Sequence, residues 1–219
     1  MFVGHTALAL AAKRRAPEVS LGWLLGASIT LDLVWPVLLL LGFEQVAFGS
    51  VTGGFDRLTF LSYPWSHSLF MAIVWGGVVF ALARWRGISK SSAMWLGALV
   101  VSHWVLDYAS HAPDLPVWPG NSPRLGLGLW SSIPGTLIIE GALYLAGIAL
   151  YVTATKAKDR IGSIGLWAFL ICSAVLWATT PFSAPPPSVT ALAWFALVGE
   201  WVFVAWAWWA DAHRVIATA

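Results

Sequence analysis

Six apolar runs of about 20 residues follow one another along the chain, at 19–42, 67–83, 93–112, 132–153, 161–180 and 190–210. Each is close to the length a helix needs to cross a bilayer core about 30 Å thick. Only 10% of the residues are charged and the mean hydropathy is +0.77. A soluble domain of 219 residues cannot hide that much apolar surface. The expected class is therefore all-α: a polytopic helical bundle forming one integral membrane domain over 1–219. Sixteen tryptophans suit the membrane interface.

Residues 1–12 are apolar but too short to span, so they are expected to form a half-length helix ending at the basic triplet Lys13-Arg14-Arg15. A signal peptide would carry its basic residues before the apolar stretch. Ten of the twelve basic residues, Lys13, Arg14, Arg15, Arg84, Arg86, Lys90, Lys156, Lys158, Arg160 and Arg214, fall on one side of a six-span topology. Arg57 and Arg124 fall on the other. The positive-inside rule then places both termini in the cytoplasm and the loops 43–66 and 113–131 outside. The single cysteine, Cys172, lies in an apolar run, and no basic block suggests a nucleic-acid partner.

The third run ends in Ser-His-Trp-Val-Leu-Asp-Tyr-Ala-Ser-His over 102–111. Residues four apart share a helix face, so His103, Asp107 and His111 are expected to form one polar column. A structural polar stripe would also use such residues. Three in register inside an apolar segment favour a metal, because unpaired ionisable groups there are costly. Asp32, His67 and Glu140 lie on three other runs, thirteen to sixteen residues from their cytoplasmic ends, and Asp107 lies fourteen from its own. At about 1.5 Å per residue all four sit roughly 20–24 Å above the cytoplasmic boundary, in the outer half of the membrane. His5 is shallower but within reach by tilting. Pro36 cannot donate to the carbonyl of Asp32 and is expected to kink the first run there. Ser66 is a candidate cap for the helix that His67 opens. Glu200, alone in the sixth run, is expected to hydrogen-bond within the bundle and not to ligate.

An N-terminal histidine, an aspartate in the first full run, a "WSHS" element and then "SHWVLD" together resemble the YdjM-like (LexA-regulated) family of membrane-bound metal-dependent hydrolases. That family is grouped with zinc-dependent phospholipases C and fungal zinc nucleases. The resemblance covers roughly residues 1–145; the accessory helices at 161–210 lie outside it. It implies a first zinc on Asp32, His67, His103 and Asp107, a second on His111 and Glu140, and a third shared by Asp107 and His5. Where the soluble relatives place a histidine four residues before the second metal's carboxylate, this chain has Thr136. Their third metal uses the freed amine of a processed N-terminus. The paired acidic element often found in the first run is here Leu31-Asp32-Leu33. One or two zinc ions are expected rather than three.

These ligands imply a zinc-dependent hydrolase of phospholipase C type, with a membrane lipid or other small phosphoester as substrate, at the outer membrane face. Asp107 and Asp32 are the residues expected to orient or deprotonate water. Arg124, in the outer loop, is the candidate phosphate ligand, though as a loop charge it needs no role. Trp104, Trp118 and Trp130 are candidates for an entrance. Two other classes use the same residues: a transporter of divalent metal or protons, and a structural protein whose metal ties helices together. The nearly apolar inner halves of the runs argue against a transporter.

Overall fold

The computed structural model describes residues 1–49 and 54–217, so residues 50–53 of the expected outer loop lie outside the described part. The helices are α1 (Phe2–Ala12), α2 (Leu21–Ser28), α3 (Thr30–Leu40), α4 (Pro64–His67), α5 (Leu69–Trp85), α6 (Lys90–Ser110), α7 (Ile133–Ala154), α8 (Arg160–Thr179) and α9 (Val189–Ala212). The expected runs become helices because a hydroxyl or carboxylate precedes nearly every one. Ser20, Ser68, Ser89, Ser132, Asp159 and Ser188 each accept from a backbone amide of the first turn that follows. The expected cap for α5, Ser66, is displaced by Ser68, because Ser66 is engaged elsewhere, as described below.

Three short antiparallel pairs join the ends: β1 (Gln45–Phe48) with β2 (Leu58–Ser62), β3 (Leu115–Pro116) with β4 (Arg124–Leu125), and β5 (Thr155–Ala157) with β6 (Arg214–Ile216). They sort the loops into two groups. Lys13 meets Asp211, Ser89 and Ser92 meet Glu18, and β5 meets β6, so these segments share one end of the bundle. At the other end the Phe70 amide donates to Val117, the Gly54 amide to Pro181, and Arg124 to Leu61. The chain passes between these ends as α2–α3, α5, α6, α7, α8 and α9. Of these, α7, α8 and α9 are long and apolar enough to cross a membrane, and α2 with α3 makes a fourth as a bent pair. At 17 residues α5 is shorter, and the 21 residues of α6 carry the polar column.

The first apolar run bends by 58° between Ser28 and Thr30, not at Pro36, which sits inside α3. The reason is local. At the break the Thr30 hydroxyl donates to the carbonyls of Gly26 and Ala27, and His103 Nδ1 lies 2.9 Å from that of Ser28. Side chains thus replace the missing backbone donors, so the bend leaves these carbonyls paired.

Half-length α1 is held from two directions. Gly147 of α7 lets α1 approach so closely that a Cβ there would lie 2.6 Å from the Ala7 carbonyl. At its basic end, buried Lys13 donates to Asp211 and to the Val19 carbonyl, both at 2.8 Å. Asp211 also takes the Leu21 amide at 3.0 Å and the Tyr151 hydroxyl. Asp211→Ala is expected to cost about 3–5 kcal/mol by stranding buried Lys13. The double change Lys13→Met/Asp211→Leu should recover most of it. Thermal unfolding in detergent reads both, and equal stability of Asp211→Ala and wild type would refute the clamp.

Candidate metal centre

Four elements deliver the site. The face of α6 presents His103 and Asp107, the first turn of α3 presents Asp32, α4 ends on His67, and α1 carries His5. His111 lies just beyond α6 as its C-cap, in extended backbone, so the expected column continues off the helix end. The imidazoles and Asp107 are buried, and His103 has no exposure at all. Asp32 alone is partly open, with its side chain 33% exposed.

The donor atoms fall into two groups that share His103: Asp32, His67 and His103, and His5, His103 and Asp107. Asp32 Oδ1 lies 3.3 Å from His67 Nε2 and 3.6 Å from His103 Nε2. Asp107 Oδ2 lies 3.1 Å from His103 Nε2 and 3.8 Å from His67 Nε2. Four donors placed tetrahedrally at about 2.0–2.2 Å from zinc stand about 3.3–3.6 Å apart. Asp32 Oδ1 approaches His67 and His103 at the separation expected of two ligands on one such ion, whereas Asp107, though near both imidazoles, groups with His5 and His103 and not with Asp32.

Hydrogen bonding decides which way each imidazole faces. Ser66 gives its hydroxyl proton to Glu44 Oε2 at 2.7 Å, so at 2.7 Å from His67 Nδ1 it can only accept. The His67 proton is thereby fixed on Nδ1, and bare Nε2 faces Asp32. His103 Nδ1 donates to the Ser28 carbonyl, a pairing that only an N–H can make. Its Nε2 is buried without a hydrogen-bond partner, although Asp107 Oδ2 is 3.1 Å away. His111 Nδ1 lies 3.2 Å from Asp114 Oδ1, which also takes the Tyr63 hydroxyl at 2.5 Å. His111 Nε2 stands 3.9 Å from Asp107 Oδ2. In their neutral forms these three imidazoles turn lone pairs toward two carboxylates. A metal ion or protons on the imidazoles would balance the carboxylates there, and outward Nδ1–H bonds of this kind orient metal-binding histidines.

The second group is arranged differently. His5 stacks on His103 with ring centroids 3.7 Å apart, and its Nε2 is 3.1 Å from Asp107 Oδ1. The Met1 amino group donates to Asp107 Oδ1 and Ser110, and lies 3.0 Å from His5 Nε2. Asp107 thus meets His5 with Oδ1 and faces His103 and His67 with Oδ2.

Glu140 and His111 join neither group. Glu140 is fully buried; its Oε1 accepts the Trp130 indole N–H at 3.1 Å, while Oε2 has no partner. The Trp130 ring lies on His111, centroids 4.6 Å apart, so one indole contacts both residues of the expected second-metal pair. Arg124 is exposed and donates to the Leu61 carbonyl at 3.0 Å. Trp104 is buried against Pro116, and Trp118 is exposed. Glu200 makes none of the expected hydrogen bonds among the described residues: its Oε2 is buried without a partner. Sequence reasoning missed Glu44, Tyr63, Ser110, Asp114 and the Met1 amine. Only Asp114, three residues after His111, carried a local signal.

No protein family, curated protein or solved structure matches the chain.

Proposed function

We propose that this chain is an integral membrane hydrolase of phosphoesters, phospholipids among them, dependent on zinc or a similar divalent ion held by Asp32, His67, His103 and Asp107. All six passes then lie in the bilayer, with both termini cytoplasmic and the centre toward the outer face, as the ten-to-two division of basic residues suggests. The observation that carries the reading is the convergence of His67 and His103 Nε2 on Asp32 and Asp107 at 3.1–3.8 Å, with each Nδ1 engaged away from the centre. A metal in such a site supplies Lewis acidity toward water and toward a phosphoryl oxygen.

The chain's own groups divide the remaining work. Asp32 is the open member, so it meets water or substrate and can take a proton. Asp107 is closed in and lies between His5 and the two imidazoles of His103 and His67. Asp114 and Tyr63 keep His111 turned toward Asp107, and Glu44 and Ser66 do the same for His67.

The test uses full-length protein in detergent. Metal is quantified, and release of phosphate or phosphorylated head group is followed over phospholipids and isoprenoid phosphates. Chelator should abolish release and zinc restore it. Metal-loaded protein that cleaves none of these but carries a divalent ion across liposomes would replace the hydrolase by a transporter. Metal with neither activity would make the ion structural.

A further inference from the structure

A groove of about 610 Å³ runs beside α1 toward the basic end of the bundle, remote from the loops of the metal-centre end. That volume lies within the range of clefts that hold small ligands, roughly 300–1,000 Å³. Its walls are apolar: Leu8 and Ala11 of α1, Trp95 of α6 and Leu150 of α7. Because α1 is only 11 residues long, it leaves space here between two longer helices. Ser102, the one hydroxyl lining the groove, is satisfied by the Leu99 carbonyl at 2.7 Å. His103, the next residue, is wholly buried and does not line the groove.

Arg14 and Arg15 line the opposite, basic end. The basic triplet of the sequence is thus divided in use. Lys13 turns inward to Asp211, whereas Arg14 and Arg15 are exposed and make no side-chain hydrogen bond or ion pair among the described residues. Two free guanidiniums above an apolar slot at a membrane boundary are complementary to one ligand chemistry: a phosphate carrying net negative charge, joined to a hydrocarbon chain. A soluble anion would leave the walls unused, and a zwitterionic head group brings a competing cation.

We infer that this groove binds one anionic phospholipid from the leaflet at the basic end, with its phosphate on Arg14 and Arg15 and an acyl chain along Leu8, Ala11, Trp95 and Leu150. The inference rests on the membrane reading but not on the hydrolase.

Native mass spectrometry of the full chain in detergent tests it, with phosphatidylglycerol and phosphatidylcholine of identical chains as probes. One phosphatidylglycerol should bind per chain in preference to phosphatidylcholine. Arg14→Gln/Arg15→Gln should weaken its binding about 30-fold, from about fivefold per arginine at a membrane surface. Ala98→Trp, which places an indole in the groove, should lower it with both arginines intact. Inorganic phosphate should not compete. Equal binding of the two lipids, or undiminished binding in the double arginine variant, overturns the proposal. So does loss in that variant with none in Ala98→Trp, which would place the lipid on surface charge alone.

Discussion

Replacing His103 with alanine is expected to strip the protein of bound metal, whereas His5→Ala should leave the Asp32–His67–His103 group loaded. His103 belongs to both donor groups and has no solvent exposure, so nothing can take its place. The change also removes the donor to the Ser28 carbonyl at the bend between α2 and α3, the bend that delivers Asp32. Buried Asp107 and partly open Asp32 are then left with one imidazole fewer. Breaking a buried charged cluster in this way costs about 3–5 kcal/mol. Metal content and thermal unfolding should be read together, beside chelator-stripped wild type, because metal binding itself contributes to folding. A variant less stable than the stripped protein assigns part of the loss to the bend. Unchanged metal content in both His103→Ala and His67→Ala would sink the ligand assignment.

Asp107→Asn is expected to abolish hydrolysis while the bundle still folds. The amide keeps the shape of the carboxylate but removes the charge, and it places an N–H₂ where an acceptor stood. One oxygen of Asp107 takes the Met1 amine and lies against His5, and the other faces His103, His67 and His111. Either orientation of the amide therefore loses one set of contacts. Changes to groups that only orient a ligand typically cost about 10–100-fold, so loss of a direct ligand should exceed about 100-fold. Asp114→Asn serves as the comparison, since Asp114 touches the centre only through His111 Nδ1. Phosphate release by both variants measures the difference. Equal activities of Asp107→Asn and wild type would move the chemistry elsewhere.

The helices were legible because length and hydropathy are local properties. Each apolar run became a helix within a few residues of its expected bounds, except that the first split in two. Serine and aspartate caps set the starts, although the cap of α5 shifted from Ser66 to Ser68. The i, i+4 spacing of His103 and Asp107 placed both on one face, and helical rise brought Asp32 and His67 to their level. What a single run could not contain was azimuth. Depth along a helix says nothing of which way a side chain faces, so Glu140 was expected beside His111 while Trp130 in fact contacts both. The bend fell at Ile29 and not at Pro36, because donors from Thr30 and from distant His103 satisfy the carbonyls there.

By itself, then, the sequence determined the all-α class, the order of the helices and the candidate ligands at one depth. Only the tertiary structure decided which nitrogen of each imidazole faces inward, through Glu44 and Ser66 for His67 and the Ser28 carbonyl for His103. It also decided that Met1 reaches Asp107. Helix formation and capping depend on neighbours within one turn, whereas those contacts join residues as far as 106 positions apart, brought together only when the helices pack.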